Sequence, residues 1–275
     1  MGYASEEEIQ AGEPRFVKYN YNDVAVPEDF LAGPPPEPVK MEHVDFASSS
    51  IPEYEGKIAV VLDNVLSEPE CQQFMELAKE AVPDWSPALI NVGGGLESHI
   101  PKYRSGSRKV WDYQGMVDSI FNRCLEAPGF KEVVARPPKL DETSDHVAVN
   151  PEHWELAGLN NRLRILRYTQ GEYFKAHDDG SYSPPSENGT RYASFYSIHV
   201  YLNSSTMQSP PPEGGCVGGA TSFYSEDETR SFDIEAMTGR ALIFQQSGLR
   251  HSGADVTEGV KYSVRTDVMY RYIGP

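Results

Sequence analysis

His177 and Asp179 are separated by one residue in the stretch YFKAHDDGSY. In an extended chain residues i and i+2 leave the same face, so both side chains can reach one ion. A third ligand is then wanted from a distant strand, and His251, which follows RALIFQQ and a short turn, is the obvious donor. Two imidazoles and one carboxylate on a triangular face leave the remaining positions to a bidentate co-substrate and dioxygen, the pattern expected for non-haem Fe(II). The competing reading is a solvated bend shaped by Asp179 and Gly180. A chain with 7 histidines and 41 acidic residues readily yields one HxD by chance, so the surrounding elements have to decide.

Those elements change character along the chain. KIAVVLDNVL from residue 57 reads as a buried strand, and SEPECQQFMELAKEA after it reads as a helix. Ser67 is its N-cap, Pro69 suits the first turn, and Cys71, Phe74, Met75 and Ala78 form an apolar stripe. VDSIFNRCLEA places Val117, Ile120, Phe121 and Leu125 on one face of a second helix. From Leu163 onward come short β-rich runs between Gly, Pro and Asn clusters: LRILRYT, ASFYSIHVYL, ATSFYS, SFDIEAM, RALIFQQ and KYSVRTDVMYRY. Helices first and then strands at hairpin-like spacing predict a mostly β protein, an antiparallel barrel or sandwich with flanking helices. The two long loops, residues 183–190 and 203–219, are then expected at the barrel mouth.

Alternation sorts the polar residues of the late strands. Lys261, Ser263, Arg265 and Asp267 share one face, opposite Tyr262, Val264, Thr266 and Val268. Ser197, His199 and Tyr201 likewise share a face opposite Tyr196, Ile198, Val200 and Leu202. Period two separates two environments but does not say which of them is pocket and which is solvent.

Composition limits the partners. With 24 Lys+Arg against 41 Asp+Glu the chain carries a net charge of -17, which repels phosphate backbones and anionic membranes, so neither nucleic acid nor a membrane is expected as a partner. Cys71, Cys124 and Cys216 lie far apart in no zinc-like spacing and read as thiols in a reducing compartment. The opening MGYASEEEIQ lacks a basic stretch leading into an apolar one, and nowhere do about 18 apolar residues run together. A cytoplasmic protein, with the nucleus as a second location, is the expectation. Residues 1–56 hold 12 acidic and 3 basic residues and 7 of the 21 prolines, and are expected to be an acidic, Pro-rich extension, largely disordered or draped over the domain. Phe16, Tyr19, Tyr21 and Phe30 leave room for part of it to pack. Residues 57–275 form the domain, with helical support over 57–160 and a β core over 161–275.

The ordered series RYTQGEYFKAHDDG, SIHVYLN, GGATSFY, GRALIFQQ, His251 and VKYSV resembles the prolyl 4-hydroxylase branch of the Fe(II)/2-oxoglutarate dioxygenases. The likeness spans roughly residues 57–272, dense over 163–270 and thin over 85–160. It implies a double-stranded β-helix, the jelly-roll or cupin-like core, with His177, Asp179 and His251 as iron ligands and catalytic centre. It implies 2-oxoglutarate as co-substrate and dioxygen as oxidant, with ascorbate a further candidate cofactor. The co-substrate anchor is a basic residue about ten positions past the second histidine, where Lys261 stands; Arg265, at fourteen, is the second candidate. Tyr201 corresponds to a tyrosine that bonds the co-substrate carboxylate, and Tyr168 to an aromatic of the pocket wall. His199 is either a pocket residue or an ordinary hydrogen-bonded histidine. LDETSDH, near 140–146, falls where the likeness is poor and reads as a solvated insertion or part of a lid.

A carboxylate at position 179, where halogenating relatives carry a small residue, points to hydroxylation of a C–H bond with release of succinate and CO2. The substrate, a peptidyl proline or a small molecule, stays open, as does the oligomeric state. A non-catalytic binding module of the same fold is the alternative, and a cupin-like metal barrel with other chemistry is a more distant one.

Overall fold

The alternating and apolar runs become one large antiparallel sheet. In a computed structural model describing residues 12–93, 95–140, 149–186 and 189–275, its main path is Lys40–His43, Ala59–Asp63, Ala241–Gln245, Tyr192–Tyr201, Val256–Tyr272, Arg162–Thr169, Ser107–Asp112 and Ser86–Pro87. A smaller sheet has the order Ser231–Ile234, Thr221–Tyr224, His251–Gly253 and Phe174–His177. From Arg162 the chain passes from the large sheet to the small one and back repeatedly, ending in the 17-residue strand Val256–Tyr272. That winding is a double-stranded β-helix. Closing two antiparallel sheets on each other hides most strand edges and leaves one inner face for a site.

The outer face of the large sheet carries Tyr196, Ile198, Val200, Val264 and Val268, all buried against Cys71, Phe74, Ala78, Val117 and Ile120. These last five belong to helices Glu68–Ala81 and Gln114–Leu125, which therefore pack outside the β core. The first helix starts where Ser67 indicated: the Ser67 backbone N–H donates to the Glu70 carboxylate at 2.7 Å. Glu70 in turn accepts from Arg123 of the second helix at 2.7 Å, so the cap also ties the two helices together. At Gly239 (φ +78°) an added Cβ would lie 1.7 Å from the Leu66 carbonyl oxygen. The Val65 and Leu66 N–H groups both donate to the Gly239 carbonyl, so this turn fixes the exit of the first strand against the return of a later one.

Three strands lacked a clear sequence signal. Ser107–Asp112 and Trp154–Leu159 join the large sheet beside or along Arg162–Thr169 and Val256–Tyr272. Lys40–His43 adds an edge strand by pairing with Ala59–Asp63. Its short KMEH run shows no alternation strong enough to announce it. The 203–219 loop also contains short strands, Ser205–Thr206 pairing in parallel with Cys216–Gly218. LDETSDH lies, apart from Leu140, outside the described residues. No helix among the described residues is long and apolar enough to cross a membrane.

Part of the segment before residue 57 packs into the core. Phe46, Ile51 and Tyr54 are buried with Phe223, Leu242 and Phe244 in one apolar cluster. Phe46 makes edge-to-face contacts with Tyr54 and Phe223, with ring centroids 5.9 and 5.5 Å away. Phe30 is also buried, Tyr19 bonds to Glu97 and Arg108, and Phe16 is exposed. The boundary expected at residue 56 therefore cuts across this cluster. Phe46→Ala is expected to cost about 3–5 kcal/mol by equilibrium denaturation, and removal of residues 1–56 to leave no cooperative unfolding transition. A truncated chain melting like the full one would show that this cluster adds nothing.

Candidate functional site

The site follows from strand register. Along Val256–Tyr272, Lys261 pairs with Tyr168, Ser263 with Leu166 and Arg265 with Arg164 on one neighbour. On the other neighbour Ser263 pairs with Tyr201, Arg265 with His199 and Asp267 with Ser197. Antiparallel partners share a face, so both polar rows predicted from alternation lie on the inner face of the large sheet. In the small sheet His251 pairs directly with His177, which brings the two imidazoles together from strands 74 positions apart in sequence.

His177, Asp179 and His251 each offer a ligand atom, and the three atoms lie within 4.8 Å of one another. The imidazole Nδ1 of His177 lies 2.7 Å from the Lys175 carbonyl oxygen, and that of His251 lies 2.9 Å from the Leu249 carbonyl oxygen. A carbonyl can only accept, so each Nδ1 carries the proton and each Nε2 keeps its lone pair. Both Nε2 atoms sit 3.7 Å from an Asp179 carboxylate oxygen, too far for hydrogen bonds. Two buried acceptor nitrogens and a carboxylate that converge without bonding one another are what a divalent cation between them needs, so the donor set fits the metal. Burial, followed by the neighbouring His251, pushes the His177 imidazole well below its ordinary pKa, which favours the neutral, ligating form.

Asp179 is ionised. Burial alone would raise its pKa, but the Arg265 guanidinium and its other neighbours outweigh that and hold it well below the usual carboxylate range. Arg265 Nη2 lies 3.0 Å from Asp179 Oδ2, and the Ser197 hydroxyl donates to the same oxygen at 2.5 Å. Behind them Asp267, almost fully buried, accepts from Arg164 at 3.1 Å and Gln246 at 3.2 Å and pairs with the Arg265 guanidinium at 3.3 Å. Arg265 is thus committed to two carboxylates of the chain.

Lys261 is not committed to any. It is buried, lines the same cavity as the three candidate ligands, and no acidic side chain among the described residues pairs with it. Its ammonium lies 5.4 Å from the centroid of the Tyr201 ring. Tyr201 lies one layer behind the cavity wall, its hydroxyl 2.7 Å from that of Thr221, which does line the cavity. Tyr168 is part of the wall and accepts from Arg104 at 3.2 Å. His199 also faces the cavity, with Nε2 buried and unpartnered. The 183–190 and 203–219 loops supply none of the lining among their described residues.

Sequence reasoning missed Arg104, Arg164, Phe174 and Thr221, all of which line the cavity. A signal existed for Arg164, four residues before Tyr168 and therefore on its face. Arg104 sits in IPKYRSGS, which has no periodic pattern, and reaches the site through a single bridge to Phe174.

Residues 163–266 match the sequence profile of the 2OG-Fe(II) oxygenase superfamily. Every candidate site residue read from the sequence falls inside that match. The match spans 104 of the 275 residues and covers most of the double-stranded β-helix, with His177, Asp179 and His251 inside it. Similar solved structures include a prolyl-4-hydroxylase from Pseudomonas putida, 13% identical, with a TM-score of 0.48 over 84% of this chain and 96% of that one. A Trichoplax adhaerens prolyl hydroxylase, in complex with a hypoxia inducible factor oxygen degradation domain peptide fragment, is 15% identical, with a TM-score of 0.47 over 83% and 89%. The viral collagen prolyl hydroxylase of Paramecium Bursaria Chlorella virus-1 is 17% identical, with a TM-score of 0.44 over 80% and 98%. No curated protein matches the sequence.

Burial pushes the Lys261 ammonium down from 10.5 to about 8. The unfolded chain then binds more protons than the folded one between about pH 8 and 10.5, so the burial penalty is complete below 8 and is relieved as pH rises through that window. Lys261→Met is therefore expected to stabilise the ligand-free protein by on the order of 3 kcal/mol at pH 7, with the gain shrinking towards pH 10.5. Denaturation of both proteins at pH 7 and 10 checks this, and a difference independent of pH would contradict it.

Proposed function

We propose that the protein is an Fe(II)- and 2-oxoglutarate-dependent dioxygenase that hydroxylates a C–H bond of a small molecule or a peptidyl prolyl residue. The observation that carries this reading is the convergence of His177 Nε2, His251 Nε2 and an Asp179 oxygen, with both Nδ1 protons turned away onto backbone carbonyls. His177, Asp179 and His251 would hold the iron. When bound with 2-oxoglutarate and dioxygen, the iron supplies oxidative decarboxylation to succinate and CO2 and transfer of one oxygen atom to the substrate.

The chain's own residues do the rest. Lys261 supplies the compact positive charge that the distal carboxylate of 2-oxoglutarate requires, and Thr221 adds a hydroxyl oriented by Tyr201. Arg265 serves the centre from the other side. It holds the Asp179 carboxylate in one orientation, jointly with Ser197, and Asp267 holds Arg265. Leu166, Tyr168 and Phe174 give the cavity apolar walls that displace water and strengthen these charge contacts.

Asp179→Ala is expected to abolish both stoichiometric binding of Mn(II), as a stable substitute for iron, and succinate formation. Lys261→Met is expected to keep metal binding while raising the KM for 2-oxoglutarate by about 100-fold. Calorimetry and succinate quantification separate the two effects. Full activity in Asp179→Ala would refute the proposal, and intact metal binding with no 2-oxoglutarate turnover under any substrate would favour a binding module of the same fold.

A further inference from the structure

The cavity holds more positive charge than the iron and 2-oxoglutarate account for. Its walls present Arg104, Arg164, Lys261 and Arg265 against Asp179, with Asp267 behind. Four cations and two anions leave a fixed charge of +2. A divalent iron and a doubly charged 2-oxoglutarate cancel each other, so the loaded site keeps the same +2, inside a chain whose net charge is -17. Uncompensated buried charge is costly, and guanidinium cannot shed its proton to relieve it.

The surplus is concentrated on Arg104. This side chain is nine-tenths buried, and no acidic group among the described residues pairs with it. Its Nη1 donates to the Leu89 carbonyl at 3.2 Å and its Nη2 to the Tyr168 hydroxyl at 3.2 Å, while Nε is buried without any partner. The guanidinium lies 4.3 Å from the centroid of the Phe174 ring, which stacks at 3.6 Å on the ring of His177. Arg104 is therefore one aromatic layer away from a candidate iron ligand. Arg164 stands on the same wall, and the acid it bonds, Asp267, is shared with Arg265.

We propose that Arg104, assisted by Arg164, is a binding site for a carboxylate of the molecule being hydroxylated, so that the substrate is a small acid, such as a free amino or imino acid. An interior residue of a polypeptide brings neutral amides where this wall needs a negative charge. The inference rests on the oxygenase reading, because it assigns Lys261 to the co-substrate and leaves Arg104 for the substrate.

The test uses the full chain loaded with Mn(II) and N-oxalylglycine, an inert 2-oxoglutarate analogue. The common amino acids and their primary amides are titrated into it by calorimetry and thermal shift. At least one acid is expected to bind saturably and about tenfold or more tighter than its amide. Arg104→Gln should remove that preference with N-oxalylglycine affinity kept within about twofold, and Arg104→Lys should restore part of it. Arg164→Gln, expected to weaken the acid less, serves if Arg104→Gln does not fold. Normal binding of Mn(II) and N-oxalylglycine with no acid preferred over its amide overturns this inference alone. So does an Arg104→Gln that loses N-oxalylglycine and keeps the acid preference. Failure of the wild-type chain to bind Mn(II) and N-oxalylglycine overturns the oxygenase reading and this inference with it.

Discussion

One register holds the site together. Val256–Tyr272 pairs with Arg162–Thr169 on one side and Tyr192–Tyr201 on the other so that Lys261 and Arg265 face the cavity together with Tyr168, Arg164 and His199, with Asp267 and Ser197 on the same inner face behind them. A slip of one residue would turn all of these outward and send Tyr262, Val264 and Val268 into the cavity. The outer face prevents that slip. Val264 and Val268 are buried against the helices, and leaving side chains of that size in water costs about 1.5–3 kcal/mol each. Helix packing on one side of the sheet thus determines which charges appear on the other.

The charges so placed form a relay of orientation. Asp267 sits in the sheet with almost no access to water and bonds Arg164, Arg265, Gln246 and Asn160. Arg265 passes that constraint on to Asp179, and Ser197, opposite Asp267 in register, donates to the same carboxylate oxygen. Removing one member of such a buried set leaves its partner charged and unpaired, at a cost of about 3–5 kcal/mol. The Asp179 carboxylate is therefore held by a neighbouring layer of buried charge, and Arg265 is used up in doing this. Lys261, with no acid of its own, stays available.

The antiparallel β core was legible from its strand runs: LRILRYT, ASFYSIHVYL and KYSVRTDVMYRY all became strands, and the faces that period two assigned over 196–202 and 261–268 are the ones observed. The HxD pair was a weaker signal, since the strand Phe174–His177 ends at its histidine and Asp179 lies just beyond, and it took the elements around it and His251 to single it out. Arg104 was not legible, because its place in the site comes from a single bridge to Phe174 between chain segments with no repeating pattern. The packing of Phe46 and Ile51 was obscured by composition: a few apolar residues among prolines and acids read as an extension, yet Phe46, Ile51 and Tyr54 are enough to join an apolar cluster with Phe223, Leu242 and Phe244. Tyr201 shows the limit of face assignment, being on the inner face and yet screened from the cavity by Thr221.

A net charge of -17 and a cavity lined by cations can coexist because they act over different distances. At physiological ionic strength exposed charges are screened beyond about 8 Å, so much of the acidic surface is not felt inside a cavity walled by Leu166, Tyr168 and Phe174. Within those walls water is scarce, screening is weak, and each guanidinium or ammonium acts on whatever lies a few ångströms away. A small acid that enters the cavity meets charges that bulk solvent never neutralised. The selectivity of the site is thus set by size and depth before any single hydrogen bond is made, and Arg104, buried against Phe174 and lacking an acid of its own, is where that selection acts most directly on a substrate.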